Sequence, residues 1–384
     1  MKSVLFSIGF RPFFLIATLF SAVLMGFWVF FYAMHEPLRS FDYYSSITWH
    51  AHEMIFGYGM AVVAGFLLTA IRNWTRIPTV SGTGLMLLVV AWILGRIAPF
   101  VLNQDWLIAV FDMLFLPLLA VFVAIPLVKA GNKRNYFVVG MIVVMSVLNL
   151  LVHLDKLGFV QNTATIAYKT AFYIIIALII VMAGRVFPMF SQNGVPVRYQ
   201  VVKYPLVEKL AVPSYFAFMI SLLFFGSTLL TALTAIIAVV IHSIRLKGWY
   251  NKQIWQVPLV WVLHMGYLFL IVGLVMTAIS QYVPALYFLA LHAFSIGTLG
   301  IVTMGMMARV SIGHTGRDLR FPPKLIKPAF VLLVLATLVR VFVPLIVPSA
   351  YQTTIIVSGS LWVVAFALFV LSYAKILLSP RADD

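Results

Sequence analysis

Cysteine is absent from all 384 residues, which excludes disulfides, thiolate metal sites and cysteine nucleophiles. Charge is scarce as well. Only 9% of the residues are Asp, Glu, Lys or Arg, where a soluble domain carries about a quarter. Asp and Glu together number ten. The P-loop, the nucleophile elbow and the zinc-protease HExxH pattern are all missing, because His52-Glu53 is not followed by a second histidine at the needed spacing. The first apolar stretch is too long for a cleavable signal peptide, and no small-residue cleavage site follows it.

What the chain has instead is hydrophobic surface, 63% of its residues. A water-soluble fold could not hide that much, so lipid is the expected solvent. In lipid only helices and closed barrels satisfy every backbone polar group. The apolar runs are continuous for roughly 20 residues and do not alternate, which selects helices. The expected fold class is therefore all-α, a polytopic transmembrane helix bundle forming a single domain over 1–384. Hydropathy and turn signals place twelve spans at 11–33, 50–71, 83–102, 105–128, 135–154, 164–186, 209–226, 228–246, 257–280, 284–308, 326–347 and 353–378. The longest loop, 187–208, divides the chain into six-span halves of about 1–190 and 205–384.

On a soluble chain the net charge of +16 would suggest a nucleic-acid partner. Here it reads as the positive bias of cytoplasmic loops, with no nucleic acid implied. With the N-terminus inside, only Arg39, Arg96, Lys156, Lys169 and Arg340 fall on the outer side, and every other Lys and Arg falls inside. Both ends are then cytoplasmic. Tyr43, Tyr44, Trp49, Trp74, Trp106, Trp249, Tyr282 and Tyr351 lie near expected span ends, where an interfacial belt would sit. In a chain with 15% aromatics, such positions also arise without one.

The second and tenth spans echo each other. His52 precedes Gly57 and Arg72, and His292 precedes Gly297 and Arg309. The next span in each case ends with an arginine and a proline, Arg96–Pro99 and Arg340–Pro344, and a third such phrase closes the sixth span at Arg185–Pro188. The echo suggests an ancient duplication, although helices commonly end at proline without one.

Ionisable residues at membrane depth are costly and normally mark ligands, proton paths or substrate sites. Of the eight histidines, His50, His52, His153, His242, His264, His292 and His314 fall inside a span or at its end. The densest group is Trp49-His50-Ala51-His52-Glu53. On a helix His50 and His52 diverge by ~200°, so one metal would need further ligands unless the helix begins between them. Glu53 lies three residues after His50, on its face, where it could ligate, orient a ring or relay a proton. The plainer reading is a polar helix entry. His264 and His292 lie in apolar surroundings and need a partner, either a metal ion or a neighbouring helix. His153 sits near Asp155 at a span end. His242 accompanies Arg245 and Lys247, and His314 occupies a glycine-flanked polar turn, where anion contact and a solvated loop are both open. Arg96 and Arg340, at outer ends, call for an anion of carboxylate geometry such as a haem propionate, or for lipid phosphate.

The strings WHAHEMIFGYGMAVVAGFLLTAIRNWT at 49–75, GRVFPMFSQNG at 184–194, LHAFSIGTLG at 291–300 and RVSIGHTGR at 309–317 resemble the NnrS family of bacterial membrane proteins. The chain departs from the expected pattern at Arg72 and Arg76, where neutral or small residues are anticipated, without touching the histidines. The resemblance implies haem, b-type, held by histidines between helices, with copper as a candidate second metal. It nominates His50, His52, Glu53, His242, His264, His292 and His314, with Arg96, Arg185 and Arg340 as anion partners. It also implies the cytoplasmic (inner) membrane and relief of nitric oxide stress. The conventional histidine pairs of haem–copper oxidases are not found.

The leading expectation is a haem-dependent membrane redox protein that binds and reduces nitric oxide, with Glu53 as proton donor. Electrons would come from a quinol or another protein, since no soluble haem domain is fused. A secondary transporter shares the span count and the two-half repeat. A nitric oxide sensor or metal-handling protein would bind without turnover.

Overall fold

The computed structural model describes residues 4–34 and 43–383; Lys2, His35 and Arg39 lie outside the described residues. It is 82% helical, and the described residues contain no strand. Twelve helices are long and apolar enough to cross a bilayer: α1 Phe10–Met34, α2 Ser46–Thr75, α3 Thr83–Val101, α4 Asp105–Lys129, α5 Lys133–Lys156, α6 Ala164–Gly194, α7 Pro205–Phe225, α8 Leu229–Trp249, α9 Pro258–Ile279, α10 Ala285–Gly313, α11 Ile326–Ile346 and α12 Pro348–Leu378. Most ends fall within a few residues of those expected from hydropathy. Local chemistry sets several of them. Ser45 accepts a hydrogen bond from the Thr48 amide to start α2, and proline occupies the first turn of α7 and α9, where its missing N–H costs nothing.

Three expectations need correction. The loop expected at 187–208 is shorter, because α6 runs on to Gly194 with Pro188 inside it. A proline ring crowds the carbonyl four residues earlier, and here that residue is Gly184; helices in membranes tolerate such positions. Tyr43, Tyr44, Trp49 and Trp249 are buried, so they pack the interior and do not form a belt. Trp106 and Tyr282 are exposed. Among the arginines counted as loop charges, Arg11, Arg245 and Arg309 are buried within helices.

Residues 1–172, 314–316 and 373–384 form one compact unit, and residues 173–313 and 317–372 form a second. In the first unit α2 is the central helix, with 83% of its apolar window buried against α1, α3 and α4. In the second, α9 plays that part at 72%, packed on α8, α10 and α11. Large apolar side chains such as Phe224 and Leu371 are exposed, as lipid contact requires.

Two helices leave α-geometry in the same way. A π-segment occupies Glu53–Gly59 of α2, directly after His52, and another occupies Ala293–Gly300 of α10, directly after His292. Such wide turns concentrate at functional sites. Both fall at the two histidines of the sequence echo. α4 is also interrupted, between Asp105–Met113 and Phe115–Lys129, because Pro117 removes the bond to the carbonyl of Met113. Asp112 therefore sits beside a break.

The first unit is closed by Arg11. Its Nη1 donates to the carbonyls of Leu377 at 2.8 Å and Ser379 at 2.6 Å. Each bond to a charged donor contributes about 1.5–3 kcal/mol. Arg11→Ala is expected to speed hydrogen exchange at residues 373–383 while leaving α9 unaffected, as followed by mass spectrometry.

Candidate functional site

Burial of charge in a membrane bundle demands compensation, and the first unit gathers almost all of its buried charge in one place. Arg96 on α3 is 7% exposed, Glu53 on α2 is 1% and Asp112 on α4 is 3%. Arg96 Nε lies 2.8 Å from Glu53 Oε2, and its Nη2 pairs with Asp112 Oδ1. Space for this pairing comes from glycine. A Cβ on Gly95 would lie 2.7 Å from Asp112 Oδ1, and one on Gly57 would lie 2.7 Å from Glu53 Oε2.

Around this triad sits a hydrogen-bonded shell of buried groups. Asn149 of α5 donates its amide to Asp112 Oδ2 at 2.7 Å, which leaves its oxygen 3.0 Å from His52 Nε2. Asp112 Oδ2 is 3.3 Å from the same nitrogen. On the other side of the ring, His52 Nδ1 is 2.9 Å from Glu53 Oε1. His153 Nε2 donates to Asp112 Oδ2 at 2.9 Å, and the Tyr43 hydroxyl donates to His153 Nδ1 at 2.7 Å. Tyr43 lies outside the spans, and burial first, then Asp105, raises its phenol above the ordinary value. It is therefore a neutral donor.

The hydrogen positions follow from the acceptors. Both nitrogens of His52 face oxygens, so satisfying both requires two protons between His52 and Glu53. Either the ring is an imidazolium, or Glu53 carries a proton and donates it to Nδ1. Charge gives the same answer. With neutral rings and two carboxylates against one guanidinium, the cluster would hold a net negative charge at low dielectric, which is costly. One extra proton neutralises it. A bound cation would do the same, and His52, Asp112 and His153 present ligand atoms all within 4.8 Å of one another. This is the group of metal-capable side chains found among the described residues.

The histidines nominated from sequence do not converge. His50 is half-buried and stacks on Trp28 at 4.5 Å, with a buried Nδ1 that lacks a hydrogen bond. α2 begins at Ser46, so both His50 and His52 are helical. Glu53 bonds to His52, its neighbour across the α-to-π junction, and not to His50 as the helical spacing suggests. His242 Nδ1 accepts from the Tyr267 hydroxyl at 2.6 Å, and that oxygen accepts from Arg245 at 3.1 Å. Arg245 also pairs with Glu208 at 2.7 Å. His264 donates from Nδ1 to its own helix at Val260, 3.1 Å, and its Nε2 lies 3.4 Å from both Ser191 Oγ and the Trp249 carbonyl. His292 donates from Nδ1 to the Phe288 carbonyl at 2.7 Å. His314 lies in the turn after α10, its ring 5.8 Å from that of Phe10.

Arg185 is half-buried on α6. Arg340 Nη2 donates to the Tyr351 hydroxyl at 3.0 Å. The anion expected beside Arg96 is supplied by the chain itself, as Glu53 and Asp112, where a haem propionate and lipid phosphate are the partners considered from sequence. Asp112, Asn149, His153 and Tyr43 were missed as members of the site. Sequence proximity sets His153 near Asp155, whereas Asp155 accepts from the Ala164 amide at 2.6 Å and His153 turns to Asp112. An aspartate in the middle of a charge-poor span was the one signal that could have pointed to Asp112.

Two outcomes are expected. Asp112→Ala leaves Arg96 with Glu53 as its one carboxylate and strips buried acceptors from Asn149 and His153, so thermal unfolding should show a loss of about 3–5 kcal/mol. His314 is depressed below the ordinary histidine value by burial, then by Arg381 and Arg72. The unfolded chain then binds the proton more readily, and stability should fall as pH drops below ~6.5. In His314→Gln the acid-induced decline should be shallower.

A family model described as NnrS protein matches residues 4–381. A search of curated proteins finds no match.

Proposed function

The chain belongs to the NnrS family, and on that premise we propose that it is a membrane redox protein of the nitric oxide response, binding haem and reducing nitric oxide. The observation that carries this reading is the buried His52–Glu53–Arg96–Asp112–Asn149–His153 cluster. It keeps one exchangeable proton where a membrane bundle could otherwise hold an inert apolar core. Reduction of nitric oxide consumes protons as well as electrons. Glu53 and His52 share a proton at Oε1 and Nδ1, and Tyr43, His153 and Asp112 form a hydrogen-bonded chain that leads to them. Glu53 is the proton donor. Arg96 holds its second oxygen and keeps the carboxylate from turning away.

The donor chemistry fits the cofactors that the family implies. His292 gives its Nδ1 proton to the Phe288 carbonyl, so its Nε2 carries the lone pair, as in metal-ligating histidines. His292 is the haem ligand we assign, with His264 and His242 as further candidates in the same unit. His52, Asp112 and His153 offer two nitrogens and one carboxylate to copper, which would take the place of the extra proton there. Haem, when bound, supplies an iron that binds nitric oxide and passes it electrons received from a quinol or a protein donor. We place the protein in the bacterial inner membrane with both ends cytoplasmic, on the distribution of Lys and Arg.

Purified protein should show a Soret band and consume nitric oxide with an artificial reductant. His292→Ala should lose haem. Glu53→Gln should keep it but slow consumption by about 10²-fold or more, with the rate limited by proton supply. A colourless protein that leaves nitric oxide untouched would overturn the reading in favour of carriage or sensing.

A further inference from the structure

Each compact unit contains the same local device: a histidine, a π-segment beginning at the next residue, and a buried arginine on the helix that follows. In the first unit the residue after the histidine is Glu53, and it pairs with Arg96. In the second the residue after His292 is Ala293, which brings no charge. Arg340 is nevertheless 4% exposed. Its Nη2 donates to the Tyr351 hydroxyl at 3.0 Å, and its guanidinium lies 4.7 Å from the centre of that ring. Its Nη1 is buried without a hydrogen-bond partner. The neighbouring Val341 packs with Leu289, Ala290 and Ala293, so Arg340 is carried on the stretch of α11 that runs past the His292 turn. Thr298 Oγ1, in the π-segment, is also buried without a partner.

A guanidinium excluded from water with an idle N–H is expensive unless an anion meets it, and the forked donors match a planar carboxylate. We propose that the Arg340 site binds a planar monoanion of carboxylate geometry, in the role that Glu53 fills from within the chain in the first unit. The source is either a small oxyanion or the propionate of a bound haem. Only the second form rests on the haem reading; the anion site itself stands on Arg340.

The test uses the full-length protein in detergent, with and without haem. Sodium nitrite and sodium formate are compared with sodium chloride at equal ionic strength, and the melting temperature is recorded. A small-oxyanion site predicts a rise in the haem-free protein that Arg340→Gln abolishes, with affinity weakened about tenfold or more. A propionate site predicts no response to small anions in the haem-loaded protein. It also predicts that haem dimethyl ester, which lacks free carboxylates, binds wild type about tenfold more weakly than haem, a difference that Arg340→Gln removes. If Arg340→Gln does not fold, the wild-type comparisons and Arg340→Lys carry the test. No shift with either anion, together with equal binding of haem and its ester, would overturn the proposal.

Discussion

The pairing of Arg96 with two carboxylates dictates the arrangement around it. At low dielectric none of the three charges is tolerable alone, so α2, α3 and α4 must meet where Glu53, Arg96 and Asp112 coincide. Gly57 and Gly95 make that approach sterically open. Asn149 and His153 then draw α5 to the same point through Asp112. Apolar packing between helices is nearly indifferent to sliding, because lipid is as apolar as the side chains it would replace. A buried ion triad is not indifferent, since one residue of slippage strands a charge. The cluster thus fixes helix register.

The helices were legible because hydropathy reports a solvent, and the solvent is the same along the whole chain. Errors fell where a local rule was overridden. Pro188 looks like a stop, yet α6 continues through it to Gly194. The site was only half legible. His52 and Glu53 announce themselves as neighbours in sequence, whereas Asp112, Asn149 and His153 belong to it only through folding. Arg96 was recognised as needing an anion. With only ten acidic residues in the chain, composition points to an outside partner, and only the fold brings Glu53 and Asp112 to it.

The echo between the second and tenth spans acquires a physical meaning from the paired π-segments. In both units backbone geometry widens at the residue after a histidine. What differs is the side chain placed there, a carboxylate in one case and a methyl group in the other. Similar frameworks with different charge content can take different work. One unit meets its buried arginine with carboxylates of its own, and the other keeps an arginine whose demands its own residues meet only in part.

The clasp made by Arg11 has a consequence for biogenesis. Its acceptor carbonyl at Leu377 lies 366 residues further along the chain. Arg11 precedes both acceptors in the sequence, so these two bonds cannot form until residues 377–379 have been made. The first unit is therefore closed by a contact of very long sequence separation, and the bonds to Leu377 and Ser379 have to offset the entropy of that loop closure.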